Sequence, residues 1–436
     1  MGRAYGHAQM LGGLSTAGHL ATFEQLPGLV AEHVKLAGWS EATVYLSDLQ
    51  QLVLAPVTAT GPHTGDTGDT GDAGQGGELP VEGTVPGRAF QLGEILPAAA
   101  GDAEHWWVPL LDGTERMGVL HLTSPNVVRS GDAEIMQQMR ELAALIAMLL
   151  VSKRVTSDSY DHLVRRRRMR VAAEMEWRQM PPRTFATDRA MISALMEPAY
   201  EVSGDVFDYA FAGDTVHLCV FDAMGHDTAA GLTANLAVST CRNTRRQGAG
   251  IVRTAEQVER VLIEQFGDAT YATGILADLD LDSGVLTWIS RGHPPPVIIR
   301  DGRSAVHLEC LPGLPMGVGL ASDGQPCRDQ LQPGDRLLLY TDGMTEARSP
   351  QGREFGLDRF TDFLIRHHAD GLPVPETLRR LIKHHLQYHG GRLGDDATVL
   401  VLEWHGPSPY GPGAAEALVG LPGGTAAPRP GAAPGR

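Results

Sequence analysis

The chain has 436 residues, with 36 Lys and Arg against 52 Asp and Glu and a formal net charge of −16. That length suggests two or three domains, because one domain usually takes about 100–200 residues. The acidic balance argues against a general nucleic-acid-binding protein, which needs clustered Lys and Arg to neutralise phosphates. The four cysteines include no C-x-x-C pair, so they predict neither a disulfide scaffold nor a zinc or redox motif.

No stretch of the sequence predicts a membrane span or a signal peptide. The longest apolar run, Leu142–Val151, has ten residues, which is about half the length that crosses a bilayer. The first ten residues lack the charged-then-apolar pattern of a signal peptide. We therefore expect a cytoplasmic protein.

Residues 20–130 predict a first domain that mixes helix and strand. Phe23–Ala37 has the spacing of an amphipathic helix. The Gly-Asp-Thr repeat of Gly61–Gly77 has no apolar anchor, so it predicts a flexible loop and argues against a calcium-binding repeat. Strand-like alternation follows at four places: Ala42–Leu46, Leu52–Val57, Trp106–Leu111 and Met117–Leu122.

Residues 131–182 predict a helical linker. Asp132–Met180 contains no Gly or Pro before Pro181 and Pro182, and as one helix it would span about 73 Å at 1.5 Å per residue. A rod of that length cannot be buried in one small domain. We therefore expect a connector through which two copies form a homodimer.

Residues 183–405 predict a third domain, and residues 406–436, rich in Gly, Pro and Ala, predict a disordered tail. Strands and helices of the third domain occur in groups and do not alternate, which favours stacked antiparallel sheets flanked by helices. The strand-like runs are Val216–Phe221, Gly274–Leu281, Val285–Ser290, Val297–Ile299, Arg336–Tyr340 and Thr398–Glu403. The helix-like runs are Thr228–Arg246, Thr254–Phe266, Asp358–His368 and Pro375–His389.

Aspartates stand where these strand-like runs begin or end. Asp222 and Asp342 directly follow apolar runs, Asp395 and Asp396 directly precede one, and Asp205 follows a short one. Each alone is typical of a solvated turn. If the strand ends converge, two carboxylates 4 Å apart repel by about 4 kcal/mol at an effective dielectric near 20. Oxygen ligands without a well-placed Cys or His then predict Mg²⁺ or Mn²⁺.

Five motifs in a fixed order carry a resemblance to a known family. They are Ser203-Gly204-Asp205, Phe221–His226 (FDAMGH), Gly292–Pro296 (GHPPP), Thr341–Ala347 (TDGMTEA) and Gly394–Thr398 (GDDAT). Together they resemble the metal-dependent protein phosphatases of the PP2C (PPM) class, in the bacterial branch of SpoIIE and RsbU. The resemblance implies an αββα sandwich and a pair of Mn²⁺ or Mg²⁺ ions.

The same resemblance implies a role for each matching residue. Asp222 would bridge the two ions, and the backbone carbonyl of Ala223 would complete one of them. Asp342 and Asp395 would hold the second ion, and Asp205 would contact the site directly or through water. Asp205 and Asp222 are thus the expected catalytic residues. A water between two cations supplies hydroxide at neutral pH, and the ions offset charge on the phosphoryl group.

Further residues near these motifs have weaker expectations. Asp396 would lie in an outer layer around the metal site. Asp208 matches an acidic residue that follows the first motif in many relatives. His293 is expected in a structural turn fixed by prolines. The histidines of the last predicted helix are expected to face solvent: His384, His385 and His389.

The first domain has a more diffuse resemblance. Gly38–Leu46, Thr84–Glu94 and Met117–Leu122 resemble a GAF domain, a small sensory fold that would receive an unknown small-molecule or protein signal. Ala172–Pro182 resembles the helix that relays input to the metal site in SpoIIE and RsbU relatives. The expected α+β architecture is therefore a GAF-like α/β sensor, a long connecting helix and a PP2C-type sandwich.

The sequence thus predicts a metal-dependent serine/threonine protein phosphatase controlled by its GAF-like domain. By resemblance, its substrate would be a phosphorylated STAS-type anti-anti-sigma factor. One alternative is a non-catalytic sensor and scaffold with a phosphatase-like binding module. Another is a metal-dependent phosphodiesterase acting on small molecules.

Overall fold

In a computed structural model of the chain, the described residues are 2–58, 77–100, 103–125, 132–201, 204–320, 324–369, 372–390 and 393–407. The predicted flexible loop, apart from its last residue, and the predicted tail beyond residue 407 lie outside them. The chain divides into two compact units, Met1–Arg167 and a second that begins at Arg168. We call them unit 1 and unit 2.

Unit 1 is a mixed α/β unit. Its strands are β1 Glu41–Ser47, β2 Val53–Pro56, β3 Leu79–Pro80, β4 Leu96–Ala100, β5 Ala103–Asp112 and β6 Glu115–Ser124. Its helices are α1 Gly2–Leu20, α2 Leu26–His33, α3 Val85–Leu92, α4 Ala133–Arg154 and α5 Asp158–Val164, with 3₁₀ turns at Phe23–Gln25 and Val34–Ala37. The strands form one antiparallel sheet in the order β3-β2-β1-β6-β5-β4.

Helices α1 and α4 contribute to the main core of unit 1. Met10 and Leu14 of α1 are fully buried, and so are Met139 and Leu142 of α4. Helix α4 is long and apolar enough to span a membrane by length and composition alone. Its buried stripe belongs to the core of unit 1, as expected for the core helix of a globular unit.

The prediction of one helix over Asp132–Met180 is wrong. Helices α4 and α5 belong to unit 1, the next helix begins unit 2, and residues 155–157 and 165–170 interrupt the helical path. Ser157 starts α5 as its N-cap, because its side chain accepts a hydrogen bond from the amide of Tyr160 at 3.1 Å. The helical path is therefore broken at Ser157, where a new helix is capped, although the sequence has no Gly or Pro there. The 73 Å rod, and the argument for dimerisation that rested on its length, no longer apply.

Unit 2 confirms the predicted stacked antiparallel sheets with flanking helices. Its helices are α6 Val171–Gln179, α7 Thr228–Arg246, α8 Ile251–Phe266, α9 Leu357–Ala369 and α10 Val374–Tyr388, with a 3₁₀ turn at Asp342–Met344. Its strands are β7 Thr184–Ala186, β8 Ala190–Glu197, β9 Asp205–Ala212, β10 Thr215–Ala223, β11 Ala272–Asp280, β12 Val285–Arg291, β13 Val297–Arg300, β14 Ser304–His307, β15 Cys327–Gln330, β16 Arg336–Tyr340 and β17 Ala397–Trp404. The two sheets have the orders β15-β12-β11-β10-β9 and β14-β13-β16-β17-β8-β7.

Two apolar cores hold unit 2 together. Leu218 and Trp288 of the first sheet pack with Leu337 and Leu400 of the second in one buried cluster. A second cluster joins the outer face of the first sheet to α7 and α8, and α10 packs against β8 of the second sheet. This is a helix–sheet–sheet–helix sandwich, the PP2C-like architecture that the motifs predicted.

The cysteines of unit 2 form one pair that their spacing did not predict. Cys310 and Cys327 form a disulfide across 17 positions of sequence. Cys219 and Cys241 are free and buried. The bond closes the loop between β14 and β15.

Candidate metal centre

The strand ends that carry the aspartates meet at one end of the sandwich. Asp205 begins β9 and lies directly across from Asp222 near the end of β10. In the second sheet, Asp342 follows β16 and Asp395 precedes its antiparallel neighbour β17. Each pair therefore lies at one end of two neighbouring strands.

A hydroxyl group joins the two sheets at this end. Thr341, directly before Asp342, donates a hydrogen bond through Oγ1 to Oδ2 of Asp205 at 2.7 Å. The same oxygen accepts a hydrogen bond from the backbone amide of Thr398 in β17 at 2.9 Å. Asp205 and Thr341 are both buried, so the hydroxyl fixes the Asp205 carboxylate between the sheets.

Burial, and then mutual repulsion, raises the pKa of three of these carboxylates. Burial, followed by Asp342, Asp395 and Asp396, raises the pKa of Asp222 to about 7. Burial, followed by Asp222 and Asp396, raises the pKa of Asp205. The pKa of Asp342 is raised by burial and then by Asp395. The cluster therefore concentrates negative charge that a bound cation would stabilise.

Glycines allow the backbone to pack closely around this cluster. A Cβ on Gly343 would lie 1.9 Å from the carbonyl oxygen of Asp396, and one on Gly204 would lie 2.8 Å from that of Ala223. Gly225 has a φ of +100°, which favours glycine over residues with a Cβ. Close backbone approach beside the aspartates therefore requires glycine at Gly343 and Gly204, and the positive φ favours it at Gly225.

The donor set suits a hard divalent cation. Within the described ranges, no group of three or more His, Cys, Asp and Glu side chains already has the geometry of a metal cage. The residues at this end nevertheless offer carboxylate and backbone oxygens, which are the ligands that Mg²⁺ and Mn²⁺ prefer. Asp222 and Asp342 are half-buried and Asp395 is exposed. These three, with Asp205 and the carbonyl of Ala223, are the residues that would hold ions.

Asp208 does not join this cluster. Its Oδ1 accepts a hydrogen bond from Arg242 at 2.7 Å and its Oδ2 accepts one from Arg245 at 3.0 Å. Its side chain is almost wholly buried. Asp208 is therefore the centre of a structural ion pair between β9 and α7.

His293 is buried beside the first sheet. Its Nδ1 lies 2.9 Å from Oγ1 of Thr273, the residue directly across from Asp222 in β11. Burial lowers the pKa of His293 to about 4, so the ring is neutral at neutral pH. Its hydrogen bond supports the strand beside Asp222, as expected for a structural turn.

The prediction that the histidines of α10 face solvent is wrong for two of them. His385 is fully buried and His389 is 8% exposed. His385 lies seven residues after Leu378 and four after Leu381, both fully buried, so it continues the apolar stripe of the helix. Its Nε2 lies 3.2 Å from the carbonyl oxygen of Gly343. The helical spacing alone could have predicted this burial.

A glutamate that the sequence analysis missed lies near the cluster. Glu176 of α6 is fully buried, and burial followed by Asp396 raises its pKa to about 9. A Cβ on Gly231 of α7 would lie 2.7 Å from the Cβ of Ala172 and 3.4 Å from Oε1 of Glu176. Close packing of α6 on α7 places Glu176 here, and no local sequence signal predicts that packing.

Comparison with known proteins places unit 2 in a family. Residues 212–405 match the family described as Stage II sporulation protein E (SpoIIE). Unit 2 is a SpoIIE/PP2C-type phosphatase domain. The motif order had predicted this membership.

Two curated relatives match over about half of the chain. The phosphoserine phosphatase RsbU of Bacillus subtilis is 23% identical over 211 residues, which is 48% of this chain and 62% of RsbU. Protein IcfG of Synechocystis is 27% identical over 241 residues, which is 48% of this chain and 37% of IcfG. The match thus spans less than two thirds of either relative.

A solved structure is similar to about half of the chain at comparable identity. The RsbU and RsbW domains of a Mycobacterium tuberculosis protein match at 26% identity with a TM-score of 0.46. The match covers 53% of this chain and 64% of that chain.

Proposed function

We propose that the protein is a Mn²⁺- or Mg²⁺-dependent phosphatase that hydrolyses phosphoserine or phosphothreonine on a protein. The observation that carries the proposal is the convergence of carboxylates from four strand ends of a SpoIIE-type domain. The raised pKa values of Asp205, Asp222 and Asp342, with Asp222 at about 7, support a site that is completed by cations. The relative RsbU is named a phosphoserine phosphatase, which agrees with this reaction class.

Residues from both sheets would hold the two ions. Asp222 is central among the carboxylates and would hold both ions, with the Ala223 carbonyl beside it. Asp342 and Asp395 would hold the second ion from the other sheet, and Thr341 keeps the Asp205 carboxylate directed at the site. Bound ions would lower the pKa of a water and offset charge on the phosphoryl oxygens.

No side-chain nucleophile is needed for this reaction. The free cysteines, Cys219 and Cys241, are buried within 3.8 Å of each other. The ring of His293 is buried and bonded to Thr273. These side chains are therefore not available to attack a phosphate, and attack by water agrees better with the site.

The substrate that we propose is a phosphorylated STAS-type anti-anti-sigma factor, with unit 1 acting as a GAF-like sensor. The proposed carrier of the signal is helix α6, the first helix of unit 2. Arg242 donates through Nη2 to the carbonyl of Gln179 at 2.6 Å and to Asp208 at 2.7 Å. The end of α6 is thereby tied to β9, the strand that begins with Asp205.

A pair of helix-breaking substitutions tests this control. Replacing Ala172 and Ala173, both buried, by glycine weakens α6 by about 1 kcal/mol per residue. We expect phosphatase activity to become independent of unit 1, measured as equal activity of the full chain with and without a cell extract that stimulates the unsubstituted protein. Stimulation that survives both substitutions contradicts a relay through α6.

A Mn²⁺-dependent assay on p-nitrophenyl phosphate tests the reaction itself. We expect Asp222→Ala and Asp342→Ala to lose more than about 100-fold in turnover, because removing outer-layer metal partners alone costs 10–100-fold. Asp362→Ala is the matched control, since Asp362 is an exposed carboxylate on α9. The scaffold alternative is favoured if the unsubstituted chain shows no turnover. It is also favoured if neither site substitution changes the turnover.

The substrate is tested separately with a phosphorylated STAS-domain protein. We expect metal-dependent release of phosphate from the protein and no turnover of bis-aryl phosphates. Cleavage of the diester alone would favour the phosphodiesterase alternative.

A further inference from the structure

The turn that carries Asp342 is held from α10 by a buried histidine. Nε2 of His385 lies 3.2 Å from the carbonyl oxygen of Gly343, the residue directly after Asp342. His385 and Gly343 are both buried. Because a carbonyl oxygen only accepts, the hydrogen must be on Nε2 of the imidazole.

The same turn also packs closely against the backbone that leads into β17. A Cβ on Gly343 would lie 1.9 Å from the carbonyl oxygen of Asp396, so the backbone there is in close contact with the start of β17. The turn also closes on itself, since the amides of Thr345 and Glu346 donate to the carbonyl of Asp342 at 2.8 and 2.7 Å. The His385 hydrogen bond therefore adds a contact from α10 to a turn that is already held by β17 and by its own backbone.

The imidazole is itself held in one orientation. Phe355 meets it edge to face with ring centroids 4.8 Å apart, and His389 does so at 4.4 Å. Phe355 belongs to the segment that follows the Asp342 turn, and its amide donates to the carbonyl of Ala347 at 3.0 Å. Burial, followed by His389, lowers the pKa of His385 to about 4, so the ring is neutral at neutral pH.

We propose that His385 is a positioning residue for the metal site, acting through Gly343 to set the place of the Asp342 carboxylate. The inference rests on the proposed function, because it assigns Asp342 to a metal ion. Partners that orient metal ligands in this way typically change metal affinity by 10–100-fold when removed. Loss of the donor at residue 385 should therefore weaken metal binding without removing the ligands.

Mn²⁺ titration calorimetry on the full chain tests the inference. We expect His385→Leu, which has no donor, to raise the Mn²⁺ dissociation constant about 10-fold or more. His385→Gln places an amide N–H near the position of Nε2, and we expect it to stay within about 3-fold of the unsubstituted chain. His384→Leu on the same helix, at an exposed histidine whose ring lies near Phe355 and Phe363, is the matched control and should leave Mn²⁺ affinity unchanged.

Two further measurements separate positioning from stability. The thermal midpoint of the metal-free chain reports any purely structural loss, and turnover at saturating Mn²⁺ should recover in His385→Leu. A lower midpoint with unchanged Mn²⁺ affinity overturns the inference. So does an equal loss of affinity in His385→Leu and His385→Gln, since ring packing would then explain it.

If His385→Leu does not fold, a second pair of variants tests whether the donor at residue 385 supports Mn²⁺ binding. His385→Asn and His385→Gln are both polar, but only the longer glutamine reaches the carbonyl of Gly343. Weaker Mn²⁺ binding in the asparagine variant alone supports the inference, and equal binding overturns it. Absence of Mn²⁺ uptake by the unsubstituted chain contradicts the proposed function itself, a result distinct from equal affinities across the variants.

Discussion

Thr341 and Asp205 lie 136 positions apart in sequence and share a buried hydrogen bond of 2.7 Å. Through it, the strand end that carries Asp342 in one sheet holds a carboxylate that belongs to the other. The Thr341 hydroxyl uses its donor on Asp205 and accepts from the amide of Thr398. The two halves of the candidate metal centre are therefore aligned by one side chain that is not a ligand.

Replacing Thr341 by valine should weaken catalysis without changing the ligand set. Hydrogen bonds to charged groups contribute about 1.5–3 kcal/mol, so we expect kcat/KM to fall by roughly 10- to 100-fold. Thr341→Ser keeps the hydroxyl and should retain most of the activity. Equal activities of the two variants in a steady-state phosphatase assay would show that the Asp205 contact does not matter for the reaction.

Asp208 provides a test of which aspartates belong to the site. Asp208→Asn leaves Arg242 and Arg245 facing a neutral group, and breaking a buried ion pair costs about 3–5 kcal/mol. We expect urea unfolding to show a loss of stability of that order, with Mn²⁺ affinity close to that of the unsubstituted chain. A folded variant of normal stability that no longer binds Mn²⁺ would place Asp208 among the ligands instead.

Unit 1 should lose stability in mild acid because of His121. Burial, followed by the charge of His105, lowers the pKa of His121 from 6.5 to about 4. Below pH 6.5 the unfolded chain binds a proton that the folded chain does not, so stability falls as the pH drops toward 4. We expect His121→Gln to reduce this loss by about 1–2 kcal/mol at pH 5.

Hydrogen exchange of the β6 amides, measured at increasing urea concentration, reports this loss of stability for unit 1 alone. The control is His162→Gln, at an exposed position on α5, which should leave the pH dependence as it is. If the unsubstituted chain, His121→Gln and His162→Gln all lose the same stability in acid, the pKa of His121 is not lowered by its surroundings.

The disulfide between Cys310 and Cys327 should be detectable by its effect on stability. Closing a loop of this length stabilises a fold by about 3 kcal/mol, and we expect Cys310→Ser to lose about that amount in urea unfolding without reductant. In the denatured, unreduced chain a thiol reagent should label only Cys219 and Cys241. Labelling of all four cysteines would show that the bond is not formed.

Local sequence signals predicted that the aspartates lie at strand ends, but they did not predict β9, the strand that begins with Asp205. Asp222 and Asp342 follow long apolar runs, so their place at strand ends could be read directly. Strand β9 was missed because Asp205 and Asp208 are residues that strands disfavour. Arg242 and Arg245 compensate one of these charges from α7, and that long-range pairing has no local signature.

The helical linker and the α10 histidines show two further limits. The sequence over 132–180 has no Gly or Pro, but Ser157 caps a new helix there, and a single serine is a weaker boundary signal than Gly or Pro. His385 was expected to face solvent because no carboxylate lies in register with it to form a metal face, although its spacing from Leu378 and Leu381 places it on the buried face. In both cases the deciding residues lie close together in sequence: the cap at Ser157, and the spacing of His385 from the buried leucines of α10.

The decisive measurement for a paired-cation site is the number of Mn²⁺ ions that the full chain binds. Calorimetric titration of the metal-free protein should show two ions, because Asp222, Asp342 and Asp395 are assigned to a pair of cations. Asp222→Asn should lose both, or bind them at least about 100-fold more weakly, since that carboxylate is assigned to both ions. An unsubstituted chain that takes up no Mn²⁺, or an Asp222→Asn variant that binds two ions as tightly, would contradict the account.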